Sequence, residues 1–224
     1  MPIQLNEAIM IVAFKYTLLA MVVGITVIAG GNTVIASGNG SALVSDLVQI
    51  DGSSTVFPIT EAMAEKFQKA EGGKTNVTVR VSGTAAGFMK FCRGETDISN
   101  ASRPIEESEL ALCKENGVKY IELPIALDAL TVVNNSKNTW VDHLIVWKGG
   151  ASVEPSVENA KTGTYQPLSR PIFIYVSKKS IESKPYVNRF VEFYLDNGNA
   201  KATIKEEGYV PLPEKAYDMV TTSS

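Results

Sequence analysis

Apolar positions along this chain change period several times. Leu47-Val-Gln-Ile50 is a short apolar stretch broken by Asp51-Gly52, which predicts a strand and a turn. Ile59, Met63 and Phe67 then recur every four residues and would share one helical face, with Gly72-Gly73 as the stop. From Thr75 to Ser82 the pattern alternates, with Val77, Val79 and Val81 on one side of a strand. Ala85 to Arg93 is helical again, clustering Phe88, Phe91 and Cys92. Asp97 to Ser102 is a short buried-type stretch, and Glu106 to Asn116 is a helix that Gly117 ends. Tyr120–Leu123 and Ala129–Val133 read as two strands.

The alternation resumes later. Pro171–Val176 is a strongly apolar strand, and Val187, Phe190, Val191 and Tyr194 lie on one helical face that Gly198 would end. Ala200–Glu207 is a further short helix, and Tyr209–Pro213 crosses back over the surface. Residues 137–170, with Gly149-Gly150, Pro155, Gly163 and Pro167, show little periodicity, which is unusual inside a compact domain. Strands alternating with helices predict an α/β fold, a mixed sheet flanked by helices.

The first residues differ from the rest. Between Ala8 and Gly31 the only charge is Lys15, and an apolar run from Tyr16 to Ala29 follows it. One lysine, an apolar stretch and then small residues make a secretory signal, with Val34-Ile35-Ala36 as a cleavage site; an uncleaved membrane segment is the rival reading. Residues 1–36 are therefore read as signal peptide or N-terminal membrane segment, and the Ser- and Gly-rich residues 37–47 as a linker. The chain is expected to be periplasmic or otherwise extracytoplasmic. In that setting two cysteines, Cys92 and Cys113, favour a disulfide over two buried thiols. A net charge of −3 with no basic patch argues against nucleic acid as a partner. One histidine, His143, no Cys-x-x-Cys and no Gly-x-Ser-x-Gly argue against a metal site and against a serine hydrolase. No cofactor is expected.

Candidate chemistry sits where strands give way to helices. Asp51-Gly-Ser-Ser-Thr-Val-Phe-Pro58 and Ser82-Gly-Thr-Ala-Ala-Gly87 each place glycine and small hydroxyl residues at a predicted helix start. A helix N-terminus carries unpaired N–H donors and about half a positive charge, so such a loop can cradle an anion. Ser, Thr and Gly are also ordinary N-caps. Two such loops after strands of one α/β unit favour the cradle, because ligands of open α/β sheets sit at the carboxyl ends of strands. A third segment, Thr96 to Pro104, ends in Ser102 and Arg103. That arginine would fork onto a tetrahedral oxyanion, or pair at the surface with Glu106 or Glu107.

Gly52-Ser-Ser-Thr-Val-Phe-Pro58, Ser82-Gly-Thr84 and Asp97-Ile-Ser-Asn-Ala-Ser-Arg-Pro104, in this order and spacing, resemble the phosphate-binding proteins of high-affinity phosphate ABC transporters, in particular their cyanobacterial-type branch. Tyr120–Ala126, Ala129–Asn134, Pro167–Tyr175 and Gly208–Pro213 are similar to later parts of that family, so the likeness covers about residues 47–140 and 160–217. The resemblance implies a periplasmic-binding-protein-like (type II) fold of two lobes that close on inorganic phosphate or a similar oxyanion, and a membrane ABC permease as partner. It implies that Ser54, Thr55 and the backbone of Val56 hold the anion from the first loop, and Ser82 and Thr84 from the second. Ser102 and Arg103 fall at the third contact. In some relatives an aspartate stands at the place of Arg103 and accepts the proton of hydrogen phosphate.

The family's second lobe is expected to be largely absent, because Val141-Asp-His-Leu runs almost directly into Ile145–Gly150 and no second Ser-Gly-Thr loop follows residue 84. On that alignment residues 48–136 are the N-terminal part of the first lobe, 137–168 a remnant of the second lobe with the hinge, and 169–220 the C-terminal part of the first lobe. Two functions are compatible with this: a receptor delivering phosphate to a permease, or a single-lobe homologue that binds weakly or not at all. Each charge-assisted hydrogen bond lost with the opposite lobe is worth roughly 1.5–3 kcal/mol, so one lobe alone is expected to bind at millimolar strength or weaker.

Overall fold

The run Ile172-Phe-Ile-Tyr-Val176 shows why this sheet forms. Successive strand side chains point to opposite faces, and every one of these five is buried. Ile172, Ile174 and Val176 enter one core; Phe173 and Tyr175 enter another. A strand apolar on both sides needs helices over both faces, and the rest of the lobe supplies them.

The computed structural model describes residues 46–130, 137, 146–148 and 151–213, all within the compact unit Leu43–Ser224. The leader and most of the linker lie outside the described residues. A six-stranded sheet has the order β2-β1-β3-β7-β4-β8. Its strands are β1 (Asp46–Gly52), β2 (Thr75–Val81), β3 (Ile98–Ala101), β4 (Tyr120–Ala129), β7 (Ser169–Ser177) and β8 (Val210–Pro211). β1 pairs in parallel with β2 and β3, while β7 runs antiparallel to both β3 and β4. The mixed α/β architecture is the one expected.

On one face, α1 (Phe57–Ala70), α6 (Pro185–Leu195) and α7 (Asn197–Glu206) pack over the sheet. The predicted stripe of Ile59, Met63 and Phe67 is buried there, as are Val187, Phe190 and Tyr194. On the other face, α2 (Thr84–Cys92) and α3 (Glu107–Glu115) cover Phe173 and Tyr175, with the Phe88 and Tyr175 rings edge to face at 4.7 Å. Cys92 and Cys113 join these two helices as a disulfide inside that second core. It closes a loop of 21 residues, which in the chain-entropy model contributes about 3 kcal/mol.

Several predicted boundaries move. The two strands expected after residue 120 are one strand, β4, with a register shift at Pro124 that accommodates the missing N–H; residues 131–133 lie outside the described residues. Gly198 does not end a helix. α6 stops at Leu195, and Asp196 caps α7, whose first turn contains Gly198. Residues 137–170 hold more regular structure than expected: β5 (Val146–Lys148) pairs antiparallel with β6 (Ala151–Val153), and α4 (Val157–Lys161) follows. α5 (Lys178–Ser183) directly after β7 was not foreseen. Tyr209–Pro213 does more than cross the surface, since Val210 and Pro211 pair with β4 as the sheet's edge, where proline costs no ladder bond.

The chain leaves the sheet at the end of β4 and re-enters at the start of β7 at adjacent points. Ala129 pairs with Ser169, and the Leu130 N–H donates to the Leu168 carbonyl at 2.8 Å. Of the chain between them, α4 lies against β4 and β8, and the Tyr165 hydroxyl donates to the Leu130 carbonyl at 2.9 Å.

Candidate functional site

Because β1, β2 and β3 are parallel, the loops after them lie along one end of the sheet. Backbone bonds tie them together: the Gly83 N–H donates to the Gly52 carbonyl and the Ser53 N–H to the Asn100 carbonyl, both at 2.9 Å. Glycine is required here. Gly52 has φ 141°, and a Cβ on it would collide with the Asn100 carbonyl oxygen. A Cβ on Gly87 would sit 2.6 Å from the Gly52 Cα, so α2 can lie against β1 only without one.

Two helices begin at these loops. α1 starts after Val56 and α2 after Gly83, and neither start has a side-chain cap. The Ser53 hydroxyl instead accepts the Thr55 N–H at 3.1 Å, tightening its own loop, and the Ser53 carbonyl accepts the Phe57 N–H. Ser53 is buried, Ser54 is exposed and Thr55 half-buried. Val56 is fully buried, so only its backbone is available to a ligand. Among the described residues no hydrogen bond takes the amide N–H of Ser54 or Val56.

Thr84 and Ser102 are brought together from the second and third loops. Their hydroxyl oxygens lie 3.2 Å apart, and the Ser102 N–H also donates to the Thr84 hydroxyl at 3.2 Å. Each hydroxyl has one hydrogen. Whichever donates to the other, the second keeps its O–H for a ligand. The pair therefore keeps one O–H that this contact does not use.

Arg103 is occupied. It forks onto Glu109, Nη1 to Oε2 at 2.9 Å and Nη2 to Oε1 at 2.8 Å, while Nε faces Glu106 at 3.1 Å and Nη1 also donates to the Pro104 carbonyl. Glu109 is buried and in turn accepts the Glu106 N–H. The hydrogen bonds that Arg103 donates to Glu109 hold its guanidinium more firmly charged than usual. Of the acidic partners weighed from sequence, Glu106 takes part; Glu109 is the main one, and no bond links Arg103 to Glu107. The guanidinium carbon also lies 5.7 Å from the centre of the Phe88 ring.

Sequence reasoning missed two residues beneath the loops. Asp51, read as a strand breaker, is 1 % exposed. One of its oxygens accepts the Gly52 N–H at 2.7 Å and the other pairs with Lys90 of α2. Burial alone would raise the Asp51 carboxyl; the bonds from Lys90 and the Gly52 N–H work against it, and the group stays below its usual value. Tyr209 donates its hydroxyl to the Thr55 carbonyl at 2.5 Å, so the C-terminal return pins the first loop. Burial, then the nearby carboxylates of Asp128 and Glu207, push this phenol up and keep it a donor. An acid immediately before Gly-Ser-Ser was the only available sequence signal for Asp51; nothing local marked Tyr209.

These features match known proteins. A sequence model of the PBP superfamily domain fits residues 37–146. Protein SphX of Synechococcus elongatus is 36 % identical over 274 aligned positions, covering 78 % of this chain and 80 % of that protein. The phosphate-binding protein PstS of Staphylococcus saprophyticus is 44 % identical over 282 positions, covering 84 % and 85 % respectively. Among solved structures, a possible phosphate binding protein from Planctomyces limnophilus superposes with a TM-score of 0.69 at 26 % identity, over 80 % of this chain and 97 % of that one. The 274 positions shared with SphX involve 78 % of 224 residues, about 175, so about a hundred positions of that relative stand opposite no residue here. With a lobe of this fold, its loops in this order and relatives matched over most of their length, the chain belongs to the SphX and PstS family of phosphate-binding proteins within the PBP superfamily.

Proposed function

We propose that this chain is an exported solute-binding protein for inorganic phosphate, serving a membrane ABC permease. The observation that carries the reading is the end of the sheet where two uncapped helix N-termini and the Thr84–Ser102 hydroxyl pair lie on adjoining loops. Unpaired N–H groups and hydroxyls suit a tetrahedral oxyanion without a lysine in contact. In this reading Ser54, Thr55 and the Val56 backbone bind from the first loop, Ser82 and Thr84 from the second, and Ser102 from the third. Arg103 contributes by holding the third loop through Glu109, and reaches the anion only if that fork opens. The family consists of solute-binding proteins, and no catalytic role is assigned to any residue.

A second reading has its own support. About a hundred positions of SphX have no counterpart here, roughly the size of one small domain. A lobe without its opposite face leaves half of the anion in water, so the same site would bind at millimolar strength or weaker.

Isothermal titration of the full chain with phosphate, and then with sulfate, tests both. Micromolar phosphate binding means that a complete site is assembled, with the second face supplied by another chain, and favours the transport reading. Millimolar binding favours the single-lobe reading. A folded sample that gives no heat and no displaced signal with phosphate at tens of millimolar overturns phosphate as the ligand.

A further inference from the structure

A buried carboxylate lies directly under loops that would hold an anion. Val48 and Ile50 of β1 enter the first core, so Asp51 points to the opposite face of the sheet, where α2 lies. Gly87 of α2 rests on the Gly52 backbone, and Lys90, three residues on, reaches the Asp51 carboxylate. The first two loops meet at the same place, because the Gly83 N–H donates to the Gly52 carbonyl. Other charges are few. Arg80 stands opposite Asp51 on β2 but is exposed, and among the described residues no ion pair joins the two. Ser99, opposite Asp51 on β3, is neutral, and Lys90 is the one charged residue of α2. Lys90 is therefore the counter-ion of this carboxylate.

We propose that Lys90 is a positioning residue of the anion site: it holds Asp51 in a neutral pair, so that a buried negative charge does not act against a bound oxyanion. The proposal rests on the phosphate reading above and adds the charge balance beneath it. Lys90 acts through Asp51, since its ammonium is on that carboxylate. A charge in the protein interior is screened far less by salt and water than one at the surface, so an uncompensated Asp51 would be felt at the loops. Burying an ion pair is weak support for a fold, because apolar residues of the same shape often serve as well. What the pair does here that apolar residues would not is to fasten α2 to β1 through the Gly52 N–H and the Lys90 ammonium while adding no net charge under the two open helix starts.

The test is titration of the full chain with inorganic phosphate, followed by amide chemical shifts, from about pH 5 to about pH 8, the span in which an unpaired buried carboxyl takes up its proton. Each variant is compared with the native chain at the same pH, which cancels the titration of phosphate itself, and urea unfolding checks that each is folded. Lys90→Met leaves Asp51 buried without its counter-ion. It is expected to bind about tenfold more weakly than the native chain at the upper end of the span, with the gap closing at the lower end as Asp51 is protonated. Lys90→Met with Asp51→Asn carries neither charge and is expected to stay within about twofold of native throughout. Asp51→Asn alone leaves the ammonium in place and is expected to bind at least as tightly as native. A Lys90→Met deficit that is absent, or the same at every pH, overturns the proposal, as does a double variant as weak as Lys90→Met. If Lys90→Met does not fold, the other two variants decide: binding at native strength or tighter supports the proposal, and weaker binding by either overturns it. A native chain that shows no response to phosphate removes the phosphate reading and this proposal with it; native binding that ignores these charges removes the proposal alone.

Discussion

Helices in this lobe begin in two ways. At α3, α4, α5 and α7, side chains satisfy the first N–H groups. Ser156 accepts the Asn159 N–H at α4, Ser177 accepts the Ser180 N–H at α5, and Asp196 accepts the Asn199 N–H at α7. At α3 the Glu109 carboxylate reaches back to the Glu106 N–H. α6 has no side-chain cap and opens on Pro185, which has no N–H to satisfy, just as Pro58 stands in the first turn of α1. After β1 and β2, α1 and α2 begin without any such side-chain bond, although the loops before them contain Ser53, Ser54, Thr55 and Ser82. The contrast separates two uses of the same residue types. Where a hydroxyl or carboxylate closes a helix, it serves stability; where hydroxyls crowd a helix start and leave it open, the donors are kept for something from outside.

Substitutions at the two kinds of helix start pull this contrast apart. The largest effect is expected from Gly52→Ala. Its φ of 141° and the Asn100 carbonyl beside it leave no room for a methyl group, so unfolding by urea should show a loss of about 3 kcal/mol. A loss below about 1 kcal/mol would mean that the three loops are not held by backbone contact. Thr84→Ala comes next. It removes half of the donor pair at an open start, and phosphate affinity measured by titration should fall about tenfold. Stability should fall by no more than about 1 kcal/mol, because no helix depends on that hydroxyl as a cap and only its half-buried bonds to Ser102 are lost. Asp196→Ala should do the reverse: a loss of about 1 kcal/mol in the same unfolding measurement, with phosphate affinity unchanged. If Thr84→Ala destabilises and Asp196→Ala weakens phosphate binding, the division between closed and open starts is wrong.

Much of the lobe was legible because its signals are local. The four-residue spacing of Ile59, Met63 and Phe67 became α1, and the alternating valines became β2. Valine alternation did not mean a half-buried edge alone, since Val77 and Val79 pack partly against the first core while Val81 is 49 % exposed. The Ser-Gly-Thr pattern located the loops, and strand order then brought Thr84 to Ser102, two residues that no local period connects. What escaped depended on distant partners or on one residue with two meanings. Pro124 split a continuous strand on paper because proline ordinarily ends pairing, whereas a register shift absorbs it. Gly149-Gly150 counted as irregular chain, yet β5 and β6 pair across it. Gly198 looked like a stop because the capping role of Asp196 was not weighed. Arg103 was read toward an anion or its near neighbours, but its main partner, Glu109, lies in the first turn of α3 and is buried there.

The place of β7 in the sheet also sets a timetable. It lies between β3 and β4, yet it is built from residues 169–177, after both. Until it arrives, β4 has no link to β3 and the strands before it, and Tyr209, which fastens the first loop, comes later still. A ribosome delivers the chain from its amino end, so Ser54, Thr84 and Ser102 all emerge well before the scaffold that holds them. The binding loops are thus made early and assembled last, and a nascent chain halted before residue 169 would expose them on an unfinished sheet.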